Sequence, residues 1–160
     1  MRPPLRVAVI GSGEAEAEAR ETARRVGRAL ASAGAILVCG GLGGVMAAAA
    51  EGASAEGGTV IGLLPGGDAR AAAPGVTVPI PTGLGQARNL LVVRAAEAAI
   101  AIAGGWGTLS EAAFCLKLGV PLVGVRDHLP PELPVERLED PEAGARRALE
   151  LARAGRGREG

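Results

Sequence analysis

Apolar positions in this chain come in short runs, and most of the runs end in glycine. LRVAVIG (5–11) is rich in β-branched residues and stops at Gly-Ser-Gly, the pattern of a strand buried on both faces. AILVC (35–39), TVIGLLP (59–65), AIAIA (99–103) and PLVGV (121–125) repeat that pattern, so five core strands are predicted. Between them the spacing becomes helical. Residues 15–33 put Ala23, Val26, Ala29 and Leu30 on one face, opposite charged positions, and Gly34 follows as a C-cap would. Further helices are predicted over 45–57, 84–96, 109–119 and 141–154. VTVPIP (76–81) is extended, but its prolines confine it to a sheet edge or a loop. Residues 66–75 and 128–134 read as loops, and 155–160 as a frayed tail.

Short buried strands alternating with helices imply a parallel sheet covered on both faces. The expected fold class is therefore α/β: a doubly wound, Rossmann-like parallel sheet in three layers. No internal repeat and no linker divides the 160 residues. One Rossmann-like nucleotide- or phosphate-binding domain over 1–160 is expected, long enough to bury a full core.

Composition narrows the function classes. Seventeen basic and seventeen acidic residues cancel to a formal net charge of zero, with no basic stripe to suit nucleic acid. No apolar run is long enough to span a bilayer, and the N-terminus lacks a signal-peptide layout, so a cytoplasmic protein is expected. Cys39 and Cys115 have no neighbours at metal-ligand spacing, so they read as free buried thiols and no metal site is expected. His128 is the only histidine and Lys117 the only lysine. Gln86 and Asn89 are the only side-chain amides, Trp106 the only Trp and Phe114 the only Phe. These scarce residues, Gln86 to Lys117, mark one window as the place to look for chemistry.

In open parallel sheets the ligand sits beyond the carboxyl ends of the strands. Glycine belongs there because a phosphate must approach main-chain N–H groups without a Cβ in the way. Four predicted strands end in such turns: Gly11-Ser12-Gly13, Gly40 to Gly44, Pro65-Gly66-Gly67, and Gly104-Gly105-Trp106-Gly107-Thr108. A dinucleotide fingerprint after the first strand would need glycine at position 16, which is Glu16, and no P-loop lysine exists. A ligand bearing a single phosphate is the simplest occupant, and no resident cofactor is expected. Candidate ligand-binding residues are Gly11, Ser12, Gly40, Gly41, Gly43, Gly44, Met46, Asn89, Gly104, Gly105, Trp106, Gly107 and Thr108.

Two side chains carry alternatives. Thr108-Leu109-Ser110-Glu111 fits a capping box, with Thr108 as N-cap and Glu111 bonding back to it. It equally fits a helix start that binds phosphate while Glu111 faces the substrate. Arg88 sits early in an otherwise apolar helix, where it is either solvated or paired with a carboxylate or phosphate.

VCGGLGGVMAAAAEGA, GGTVIGLLPG, ARN and GGWGTLSEAA, in that order, resemble the LONELY GUY-like superfamily of Rossmann domains. The similarity runs from about Val7 to Val125. Its hallmark is P-G-G-x-G-T-x-x-E after a strand, with an arginine on the preceding helix. The resemblance implies a homodimer, or a higher oligomer built from dimers, with the Arg88 helix near the interface. Enzymes of the superfamily hydrolyse cytokinin riboside 5′-monophosphates to base and ribose 5-phosphate. On that model Gly104, Gly105, Gly107 and Thr108 would cradle the phosphate, and Arg88 and Glu111 would be catalytic. The first expectation is thus a nucleoside 5′-monophosphate phosphoribohydrolase-like N-glycosidase. The old lysine-decarboxylase label does not fit, because Lys117 lies too far along its helix to serve as a Schiff-base residue at the rim. Ala103 stands where the enzymes usually have Pro, and Asn89 where they usually have Lys. Both departures resemble a branch that includes molybdenum cofactor carrier proteins. The alternative expectation is a non-catalytic carrier or sensor of a phosphorylated nucleotide or molybdopterin-type cofactor.

Overall fold

The computed structural model describes residues 1–159. The elements in chain order are β1 (Arg6–Gly11), α1 (Ala17–Ser32), β2 (Ile36–Cys39), α2 (Val45–Ala55), β3 (Val60–Leu64), β4 (Val78–Pro81), α3 (Arg88–Arg94), β5 (Ala98–Ala103), α4 (Trp106–Leu118), β6 (Leu122–Asp127), β7 (Glu136–Leu138) and α5 (Pro141–Glu159). All seven strands are parallel, in the order β4-β3-β2-β1-β5-β6-β7. The chain begins mid-sheet at β1, winds outward to β4, then crosses back to lay β5 against β1.

Strand alternation assigns the layers. Val7 and Val9 of β1, with Ile100 and Ile102 of β5, face a core shared with α1, α2 and α5. Ala8 and Ile10, with Ala99 and Ala101, face a second core shared with α3 and α4. The sheet is therefore buried on both sides, as its continuous apolar runs require. This is the three-layer, doubly wound α/β arrangement expected from the sequence.

Three elements differ from expectation. The 84–96 helix begins only at Arg88, because Gly83 and Gly85 hold positive φ and 85–87 form a 3₁₀ turn. β7 is an additional strand: three residues paired to β6 on one side, too short and too polar to show a period. α5 runs on to Glu159, through residues the sequence assigns to a tail. The extended piece at 76–81 is indeed a sheet edge, with Pro79 and Pro81 in β4.

α1 and α2 touch through glycine. A Cβ on Gly27 would collide with the carbonyl oxygen of Ala49, and one on Gly52 with that of Arg24. Replacing Gly by Ala inside a helix normally stabilises by about 1 kcal/mol. Here the sign reverses, since the helices must part. Gly27→Ala is expected to lower stability by about 1–3 kcal/mol, read as a lower urea midpoint; an unchanged or higher midpoint would contradict the close approach.

Candidate functional site

The reversal of strand order between β1 and β5 opens a cleft at their carboxyl ends. It measures about 400 Å³ and is walled by Gly11, Ser12, Gly13 and Glu14 on one side and Gly105, Trp106, Gly107 and Thr108 on the other. Gly11 is required there, because a Cβ would meet the Ile102 carbonyl and Val45. Gly44, at φ 62°, lets α2 start against Ser12, whose carbonyl accepts from Val45 N–H at 3.0 Å.

α4 begins one turn earlier than its sequence suggests. Its N-cap is Gly105, no side chain caps it, and Trp106, Gly107 and Thr108 form its first turn. The capping-box assignment is therefore corrected: Thr108 is inside the helix and Glu111 a turn further on. First-turn N–H groups lack intrahelical acceptors and carry the positive end of the helix dipole. They border the cleft. Thr108 is buried, and its Oγ1 has no hydrogen-bond partner. An unbonded hydroxyl beside free amides is a site that can take an anion.

Behind this turn lies the buried charge of the site. Arg88 and Glu111 are 6% and 7% exposed. Arg88 donates from Nη1 to Asn89 Oδ1 and from Nη2 to the Gly40 carbonyl at 3.5 Å, and its Nε has no partner. Asn89 Nδ2 donates to Ser110 Oγ at 3.1 Å, and Ser110 Oγ donates to the Gly107 carbonyl at 2.7 Å. Glu111 makes no salt bridge among the described residues. Burial pushes its carboxyl up to about 8, although the Arg88 guanidinium pulls the other way. Burial likewise pushes the Cys39 thiol up to about 11 and that of Cys115 to about 12, with the Glu111 charge adding to both. Both cysteines are free and buried, as expected.

The structure thus places the candidates in two tiers. Gly11, Ser12, Gly105, Trp106, Gly107 and Thr108 line the open cleft, with Trp106 87% exposed. Gly40, Met46, Arg88, Asn89 and Glu111 lie beneath it; Met46 Sδ and Arg88 Nη2 approach Gly40 so closely that a Cβ there would lie 2.7 and 2.8 Å away. Gly41 and Gly44 shape the β2 turn with positive φ, Gly43 packs toward the Gly13 carbonyl, and Gly104 turns at φ 131° against Thr108. The β3 turn at Pro65-Gly66-Gly67 does not line the cleft. Ser110 was missed by sequence reasoning. So was the burial of Glu111, although Thr108, Glu111, Ala112 and Cys115 recur at i, i+3, i+4 and i+7, the spacing of a buried face.

Two non-glycine residues among those described take positive φ: Ala103 at 50° and Arg126 at 51°. Ala103 ends β5 and Arg126 is the last but one residue of β6, where the register shifts between Ala101 and Ala103. Proline cannot hold that φ, so this backbone is incompatible with the proline that begins the hydrolase motif.

A family model described as the SLOG cluster4 family matches residues 4–150. The chain belongs to the SLOG cluster4 family. An uncharacterised protein of Archaeoglobus fulgidus is 42% identical over 115 residues, covering 72% of this chain and 76% of that protein. The molybdenum cofactor binding protein of Rippkaea orientalis superposes with a TM-score of 0.87 at 32% identity, covering 96% of this chain and 98% of that one. For the molybdenum cofactor carrier protein of Chlamydomonas reinhardtii the TM-score is 0.85 at 32% identity, covering 95% and 99%. These matches bear out the resemblance to the carrier-like branch of the LONELY GUY-like superfamily. No helix among the described residues of this SLOG member is long and apolar enough to cross a membrane.

Glu111 gives stability a pH dependence. The folded protein keeps its proton up to about pH 8, whereas its ordinary value is 4.5. The stabilisation is complete below the lower value and lost as pH rises through the upper one. Glu111→Gln, uncharged throughout, is expected to melt above the parent at pH 9 and much nearer to it at pH 5; an equal difference at both would mean that Glu111 is ionised in the fold.

Proposed function

We propose that this SLOG protein binds a phosphorylated, pterin-type ligand of the molybdenum cofactor class and releases it unchanged, as a carrier. The cofactor would be cargo. Its phosphate would lie in the cleft against the first turn of α4 and the Thr108 hydroxyl, which fit a phosphate in both charge and donor set. Gly11, Ser12, Gly105, Gly107 and Trp106 would form the walls. Arg88 and Asn89 would act from beneath, holding the turns in place.

The observation that carries this over hydrolysis is the state of Glu111. Cleaving an N-glycosidic bond builds positive charge on the ribose, which an ionised carboxylate near the sugar would stabilise. Here the carboxyl is buried and stays protonated through neutral pH. Ala103, in a conformation closed to proline, also separates this turn from the enzymes' motif. The likeness to a molybdenum cofactor binding protein and a molybdenum cofactor carrier protein supports the same reading.

A homodimer is part of the proposal. Leu90 and Leu91 of α3, Leu84 before it, and Leu116 and Leu118 of α4 are exposed apolar residues on the layer that holds Arg88. Soluble monomers seldom leave such a group of leucines uncovered.

The deciding experiment adds a panel of nucleoside 5′-monophosphates to the protein and follows both base release, by chromatography, and Trp106 fluorescence, which as the only indole reports on the cleft directly. Saturable fluorescence change without free base is expected; release abolished by Glu111→Gln would overturn the carrier reading. Thr108→Val removes a hydroxyl with no partner, so the folded protein should keep its stability while phosphate-ester affinity falls about tenfold, the scale of one charge-assisted hydrogen bond.

A further inference from the structure

A second compartment adjoins the cleft. It encloses about 280 Å³ between the start of α1 and the ends of β5 and β6, and it shares Ser12 and Glu14 with the cleft. Thr22 lines it from α1. That residue is 2% exposed, and its Oγ1 has no hydrogen-bond partner. A helical Thr hydroxyl commonly bonds to the carbonyl one turn back; this one does not, and a buried hydroxyl without a partner costs free energy until something supplies one.

Three carboxylates surround it. Glu18 is engaged, 3.5 Å from Arg126. Glu16 occupies the N-cap position of α1, yet its side chain makes no capping hydrogen bond. Glu14 makes no salt bridge among the described residues. Acidic residues at this end of α1 complement its dipole, which accounts for their sign but leaves Thr22 unexplained. Ala15, Ala19 and Ala103 form its small apolar part, and Ser12, Arg126 and His128 complete the lining. Ala103 and Arg126, the two non-glycine residues at positive φ, both line this space, and the His128 N–H holds the Ala103 carbonyl at 2.9 Å. Such conformations recur at ligand clamps.

Excess carboxylate disfavours a second anion here and favours N–H donors. Flat alanine walls suit a planar ring, and the volume is below the roughly 300–1,000 Å³ of a site for a whole ligand. The geometry points to a subsite for the 2-amino-4-oxo edge of a pterin-like heterocycle, with its adjacent N–H groups donated to the Glu16 carboxylate and a ring acceptor taking the Thr22 hydroxyl proton. A carboxylate accepts two parallel N–H bonds in this way. The inference rests on the carrier reading and extends it: the ligand's phosphate occupies the α4 cleft and its ring the α1 compartment, joined across Ser12 and Glu14.

Unphosphorylated probes separate the two ideas. Pterin and lumazine, its 2-oxo counterpart, are titrated by their own fluorescence against the parent protein, Thr22→Val and Glu16→Gln. Inorganic phosphate is titrated in parallel by Trp106 emission. Pterin is expected to bind at least about tenfold tighter than lumazine, a factor corresponding to one good hydrogen bond. Glu16→Gln should erase that preference and Thr22→Val should weaken pterin severalfold, both leaving the phosphate titration unchanged. Thr22→Val deletes an unpartnered hydroxyl and keeps the side-chain shape, so it should fold. Equal affinity for the two rings, no saturable pterin binding, or a preference surviving in Glu16→Gln would overturn the subsite. Pterin selectivity without any phosphate response would uphold the subsite and remove the phosphate-cleft reading instead.

Discussion

The fold around the site depends on one guanidinium taken out of water. A buried charge is costly unless nearly every donor finds an acceptor. Arg88, whose buried Nε has none, finds two acceptors, the Asn89 side chain and the Gly40 carbonyl. Each has consequences further along the chain. A Cβ at position 40 would sit 2.8 Å from the guanidinium, so a larger residue there would oblige Arg88 and Met46 to shift. Asn89, oriented by the arginine, passes a hydrogen bond to Ser110 and thence to the Gly107 carbonyl, which fixes the first turn of α4. One charge therefore sets the positions of two strand-to-helix turns on different strands, and the open cleft is the space left between α4 and β1.

That arrangement divides recognition from support. Groups lining the cleft are main-chain amides, glycines, the Ser12 and Thr108 hydroxyls, the Trp106 indole and the Glu14 carboxylate. Arg88 and Glu111 lie below, buried. Burial pushes the Glu111 carboxyl up to about 8, although the Arg88 guanidinium pulls the other way. Arg88 and Glu111, the two residues that look catalytic along the chain, lie in three dimensions beneath the open cleft.

Much of this was legible in the sequence. The five core strands follow from β-branched runs, and the three layers follow from their alternation with helices. Glycine at the strand ends located the cleft, and the concentration of rare side chains between Gln86 and Lys117 located its most informative wall. The misassignments share a cause. Thr108-x-x-Glu111 satisfies a local capping pattern, but the helix takes its start from the turn at Gly104–Gly105 and from the Asn89–Ser110 bridge, both set by distant residues. β7 is visible only as a partner for β6. Thr22 looks like any threonine in a helix until the sheet brings the ends of β5 and β6 over it; no local pattern announces an unbonded hydroxyl.

Ala103 constrains its own identity through the backbone it sits on. With φ at 50°, this position admits glycine, alanine or asparagine far more readily than a β-branched residue, and proline not at all. Exchanging alanine for the proline of the hydrolase motif would therefore require the end of β5 to reverse its hand, moving the His128 anchor with it. At this position the backbone, more than the size of the side chain, decides which residues can stand there.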